Sequence, residues 1–284
     1  MIKLSSDSHN DIFIPDGTNI GEALERTTHM CISAHQDDNE ILAYHGIANC
    51  FQSKDKWFTS VIVTNGSGSP RAGIYADTCD EEMQKIRVIE QRKAAFVGEY
   101  AAQIQLGYPS SQVKDAAQGN VVDDLYEILR MAKPRTVYLH NPADKHDTHI
   151  AVLLRSLDAL RRIPKENRPK KVYGCEVWRG LDWLVDEDKE ILAVDEYPNI
   201  AQALVGVFDS QISGGKRYDL ATTGRRLANA TYLFPHQVDQ AQAVSLAMDL
   251  TPIVENEKLC IKQYTLEYVQ RLHNDICTRF DKFI

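Results

Sequence analysis

No stretch of the 284 residues comes near the ~20 consecutive apolar positions that a membrane-spanning helix requires. The opening MIKLSSDSHN also lacks the charged-then-apolar order of a signal peptide, so the expectation is a cytoplasmic protein without membrane insertion. The cysteines at 31, 50, 79, 175, 260 and 277 form no CxxC pair, which argues against a thiolate zinc site and for reduced core thiols in place of disulfides. Positive charge is in short supply. The net charge of -8 is spread along the chain, so nucleic acid and anionic membrane surfaces are poor partners and a small molecule is the better one. Repeats, low-complexity tracts and Pro/Gly-rich linkers are missing as well, which leaves no marked boundary and predicts one domain over residues 1–284.

What the sequence does contain is a 43% hydrophobic share, enough for a packed interior, arranged in alternating short and long runs. The β-rich runs MCISA, FTSVIVT, AQIQL, TVYLH and KVYGCEVW are separated by segments of helical character such as DEEMQKIRVIEQRKAAFVGEY and HIAVLLRSLDALRRI. That alternation predicts an α/β, Rossmann-like fold: a mainly parallel sheet flanked by helices on both faces, followed by a largely helical C-terminal part. In such folds ligands collect outside the carboxyl ends of the strands.

Two polar clusters fall at that position. CISAHQDDNE, residues 31–40, sets His35, Asp37 and Asp38 directly behind the first core strand, and NPADKHDTH, residues 141–149, sets His146 and His149 behind TVYLH. Taken alone, the first reads as an exposed acidic turn and the second as a helix start capped through Asp144 or Asp147. Together they offer a catalytic zinc site, which takes about three His or carboxylate ligands and keeps one position for water. His35, Asp38 and His149 are the candidate ligands, Asp37 the candidate proton acceptor, and His146 a group to face the substrate oxygen. His45 and His140 are read as structural.

The motif AHQDDNE closely resembles the AHxDDxE segment of the PIG-L/LmbE family of zinc-dependent N-deacetylases, and DKHDTH is similar to its DxHxDH segment. Weaker similarities run from about residue 28 to 235: VTNG at 63–66, Arg87 and Glu90 of an RxxE helix, and Ser210 and Gln211 of an SQ element. The stretch 1–27 and the helices of 236–284 lie outside that core. The resemblance implies removal of an acetyl group from an N-acetylated sugar or conjugate, above all N-acetylglucosamine compounds, with Zn2+ or another divalent transition metal as cofactor. It implies His35, Asp38 and His149 as ligands, Asp37 as general base, and His146 as the group that stabilises the oxyanion; the mechanism built on it has that imidazole protonated, favoured by neighbouring carboxylates and opposed by bound zinc. Family members often form trimers or hexamers, so a homo-oligomer is in keeping with it. Thr148 stands where the family has aspartate, which removes a partner expected behind the last ligand.

Further candidates for substrate contact are Arg71 in the glycine-rich NGSGSPRAG, Arg87, and Trp178 and Arg179 in VWRGLDW, whose aromatic faces suit a sugar ring. The glycine-rich segment reads as a loop at the rim of the crevice. It has neither GxGxxG nor GxxxxGK[ST], which weakens the rival reading of a nucleotide-binding transferase. A second alternative within hydrolases is an amidase acting on another acylated amine or a thiol conjugate.

Overall fold

The computed structural model describes residues 2–6 and 9–284. Its strands are β1 (Asp11–Phe13), β2 (His29–Ser33), β3 (Phe58–Thr64), β4 (Ala102–Tyr108), β5 (Thr136–His140), β6 (Lys171–Cys175), β7 (Glu190–Ala193) and β8 (Val244–Asp249). They form one sheet in the order β1-β4-β3-β2-β5-β6-β8-β7. Neighbours from β4 through β6 run parallel, and β1, β8 and β7 are added antiparallel at the edges. The five sequence-predicted strands are the parallel centre of this sheet. The expectation of a largely helical C-terminal part needs correction, because β7 and β8 lie within it and extend the sheet.

The parallel strands are buried on both faces, and their side chains alternate between two separate cores. Met30, Ile32, Val137 and Leu139 enter one core together with the helices Asn120–Ala132 and Asp147–Arg162. Cys31, Phe58 and Tyr138 enter the other, with Tyr44–Cys50, Asp80–Val97 and Pro198–Gly206 packed on it. Cys31, Cys50 and Cys175 are buried free thiols, while Cys79, Cys260 and Cys277 are free and exposed. Among the described residues no helix is long and apolar enough to cross a membrane.

Strand order reverses beside β2, which carries β3 on one side and β5 on the other. The chain leaves β2 and β5 in opposite directions across the sheet, and this opens a crevice at their carboxyl ends. The segments after these two strands contain the two polar clusters.

Candidate metal centre and its cavity

Beyond β2 the chain turns sharply into the short helix Asp38–Leu42. The turn is closed by Asp37, whose φ of 91° lies in the left-handed region that non-glycine residues seldom occupy. Strain of this kind persists only where the surroundings impose it. Here the imposing group is Arg87, a fully buried residue of helix Asp80–Val97, which donates from Nη2 to the carbonyl of Gln36. Its guanidinium also stands 3.7 Å from Asp37 Oδ2 and 3.8 Å from Glu90 Oε2. Glu90 in turn accepts from the backbone N–H and the hydroxyl of Ser210, both at 2.6 Å. Gln91 completes the clamp by accepting from the Asp37 backbone N–H at 3.3 Å.

The buried Asp38 and His149 and the partly open His35 turn toward one point. Asp38 Oδ2 is 3.1 Å from His35 Nδ1 and 3.3 Å from His149 Nε2, and the two ring nitrogens are 3.2 Å apart. Ligands held tetrahedrally at ~2.0–2.1 Å from a zinc ion stand roughly 3.3–3.4 Å from each other. The triangle of donors is therefore of the size that one such ion requires, and its chemistry, two imidazoles and a carboxylate, suits zinc or a related transition metal.

Charge supports the same arrangement. Burial pushes Asp38 toward its neutral form, but His149 and His35 beside it prevail and hold its pKa well below the carboxylate range. Burial likewise disfavours a charged His149, yet Asp38 and Asp144 raise its pKa to about 9. Without an ion a proton thus occupies the place between them, and a metal has to displace it. Asp37 has the opposite balance. Burial, opposed by Arg87 and reinforced by Asp38, lifts it to about 8.

Asp144 Oδ2 lies 3.2 Å from His149 Nδ1, and its Oδ1 accepts from the backbone N–H of His146 at 2.9 Å. One carboxylate thus shapes the loop and fixes the orientation of the imidazole, so the partner feared lost through Thr148 is supplied four residues earlier by Asp144. His140, at the end of β5, stacks on His149 with ring centroids 3.8 Å apart and comes within 3.7 Å of Asp38 Oδ2. Its Nε2 accepts the backbone N–H of Ala34 at 2.9 Å, so the lone pair that faces the centre is already used. His45 pairs its Nδ1 with the Tyr138 hydroxyl at 2.8 Å.

The donors open on a cavity of about 260 Å³ whose wall includes Asp37, His146, Ser69, Trp178, Gln211 and Tyr218. His146 is half-buried, its ring 5.0 Å from that of His35 and near-parallel to Trp178. Burial, together with the neighbouring His149 and His35, lowers its pKa. That direction runs against the protonated form expected of His146. Among the candidate substrate contacts, Trp178 and Arg87 line the cavity. Arg71 is turned away to the Ser67 carbonyl and Asp80, and Arg179 is exposed and not part of the wall. Gly66, Gly68, Ser69 and Pro70 place the glycine-rich loop on the rim.

Sequence reasoning missed Tyr218, Lys216 and Arg226. The last had a signal, since Thr222, Arg226 and Ala230 recur at a spacing of four and are the buried residues of helix Tyr218–Tyr232.

A doubly flanked, mostly parallel sheet thus carries a His/Asp/His triangle at its switch point. Residues 30–160 match the PIG-L family profile, described as GlcNAc-PI de-N-acetylase. YaiS of Escherichia coli K12, an uncharacterised deacetylase, is 28% identical over 152 residues, 53% of this chain and 77% of the relative. Among solved structures, the N,N'-diacetylchitobiose deacetylase of Pyrococcus horikoshii superposes with a TM-score of 0.58 at 14% identity, over 78% of this chain and 83% of that one. GalB of Pseudomonas putida, a 4-carboxy-2-hydroxymuconate hydratase, matches with a TM-score of 0.58 at 14% identity, over 79% and 95%. One fold serves a deacetylase and a hydratase, so the reaction has to be argued from the site.

Proposed function

We propose that this chain is a zinc-dependent hydrolase that removes the acetyl group from an N-acetylated small molecule, with N-acetylglucosamine compounds as the substrate class. The observation that carries this reading is the convergence of His35 Nδ1, Asp38 Oδ2 and His149 Nε2 within 3.1–3.3 Å of one another on a cavity wall that also holds Asp37 and His146. When bound by these three side chains, the ion supplies Lewis acidity, polarising an acyl carbonyl and acidifying water.

The remaining work falls to the chain's own groups. Burial lifts the pKa of Asp37 to about 8, and a cation held by the neighbouring triangle would favour its ionised form, in which it accepts a proton from the attacking water and returns it to the leaving amine nitrogen. The products are then acetate and a free amine. His146, on the cavity wall, offers an N–H to the acyl oxygen as negative charge builds there. Arg87 keeps Asp37 in its left-handed conformation, and Trp178 gives the sugar ring an apolar face.

An acetate-release assay over a panel of N-acetylated sugars tests the reading. Chelated protein is expected to be inactive and to recover with zinc. Asp37→Asn is expected to bind metal and to lose turnover. Full turnover by the chelated protein, or by Asp37→Asn, rejects the proposal.

A further inference from the structure

A second, smaller cavity of about 120 Å³ adjoins the first and shares Ile41, Val177, Trp178 and Tyr218 with it as walls. Its far side is formed by helix Tyr218–Tyr232, through Thr222, Arg225 and Arg226, with Glu176 and Ser245. Nothing in the proposed hydrolysis uses these groups.

The charge there is not balanced. Arg226 is buried, and its Nη2 donates only to backbone carbonyls, those of Glu40 at 2.8 Å and Ile41 at 3.1 Å. Its Nε has no hydrogen-bond partner, and its guanidinium lies 4.8 Å from the ring centroid of Tyr44. Arg225 donates to the carbonyl of Val177. Neither the half-buried Arg225 nor the buried Arg226 is in an ion pair among the described residues, although a charge as buried as that of Arg226 is as a rule paired. Lys216 adds a third cation, its Nζ 5.2 Å from the ring centroid of Trp178 on the side of the main cavity. The acid on the chamber wall is Glu176, itself buried, which accepts from Asn229 at 2.7 Å. Burial raises its pKa, so it offsets at most one of the two arginines.

We infer that this chamber is a subsite for an anionic substituent of the substrate, a carboxylate or a phosphate, joined to the N-acetylated unit across Trp178 and Tyr218. The unshared N–H groups of Arg225 and Arg226 and the hydroxyls of Thr222 and Ser245 supply donors for its oxygens. Lys216 attracts the same charge toward the mouth. The inference rests on the hydrolase reading only in taking the main cavity as the place of the N-acetyl group.

Calorimetric titration of the zinc-loaded Asp37→Asn protein tests it without turnover. The ligands are N-acetylglucosamine, its 1-phosphate, and an N-acetylglucosaminide with a carboxylate aglycone. At least one anionic ligand is expected to bind about tenfold or more tightly than the neutral sugar, with a preference that shrinks in high salt, as for partly exposed charges. The arm that shows the preference identifies phosphate or carboxylate. Arg225→Ala is expected to abolish the preference and Arg225→Lys to retain part of it. Arg225 is the residue to change because loss of the buried Arg226 would also release the carbonyls of helix Asp38–Leu42. Equal affinities, no binding of any of the three, or a preference untouched by Arg225→Ala overturns the inference. Acetate release is followed separately with the unaltered enzyme. Absent release alongside a clear anion preference rejects the deacetylase reading and leaves the subsite standing.

Discussion

His149 is gripped at both ends of its ring, with Nδ1 3.2 Å from Asp144 Oδ2 and Nε2 3.3 Å from Asp38 Oδ2. The first contact decides which nitrogen faces the centre, because a proton held between Nδ1 and Asp144 leaves the Nε2 lone pair for a metal.

Asp144→Asn should therefore weaken the site without removing any ligand. Its expected effect is a loss of about 10–100-fold in zinc affinity, the usual range for such supporting contacts. His149→Ala should abolish stoichiometric binding. Competition with a chromophoric chelator measures both, and an affinity unchanged in Asp144→Asn would show that the carboxylate serves only the loop, through His146.

His140 provides the contrary case. It stacks on the candidate ligand His149 and approaches Asp38, but its Nε2 is spent on the Ala34 N–H, so its removal should damage the fold and spare the metal site. His140→Ala leaves a buried backbone donor unsatisfied, which costs roughly 1–3 kcal/mol. The expected result is a lower urea midpoint with one metal ion per folded chain at saturation. A stable protein that no longer binds metal would make His140 a ligand after all.

The candidate ligands and their neighbours could be picked out in the sequence because each follows a strand whose apolar run marks it plainly, and the switch-point rule then brings two distant loops together. The antiparallel edges were hidden for physical reasons. β1 spans only Asp11–Phe13, and the pattern of β7 (Glu190–Ala193) is too short to show a period. β8 is almost wholly buried and reads like any short apolar segment. The supporting shell was still less visible. No spacing rule announces that Asp144 reaches His149, that Arg87 clasps the carbonyl of Gln36, or that Glu90 receives Ser210 from a point 120 residues away. Those pairings arise from tertiary packing. The setting of His146 was hidden for a related reason: the sequence lists its anionic neighbours, but the fold also buries it beside two other imidazoles, which lowers its pKa.

Gly66 offers a test of the rim loop. Its φ is +73°, and a Cβ there would come within 2.5 Å of Gln36 Oε1, an atom of the same turn that carries Asp37. Gly66→Ala combines left-handed strain with displacement of Gln36, a cost of roughly 1–3 kcal/mol. The loss should appear in kcat as well as in the unfolding midpoint, because Gln36 also donates to Thr64 and Gln105 and so ties the turn to β3 and β4. A variant with a lowered midpoint and unaltered kcat would show that the turn tolerates the shift.

Acid should destabilise the protein through a residue remote from the metal centre. His29 opens β2, hydrogen-bonded at Nδ1 to the Thr28 hydroxyl (2.9 Å) and close to the Cys50 thiol (3.3 Å). Burial, helped by the positive charges of His45, Lys56 and Arg135, lowers its pKa to about 4. In the unfolded chain the same group titrates near 6.5, so between these values the unfolded state binds the extra proton. Its contribution is fully present above pH ~6.5 and is lost progressively as the pH falls toward ~4, reaching roughly 3 kcal/mol at the lower end. Urea midpoints at steps across that range should decline in the parent, and the decline should be shallower in His29→Gln, which carries no titrating imidazole. Parallel slopes in the two proteins would assign the acid sensitivity to other groups.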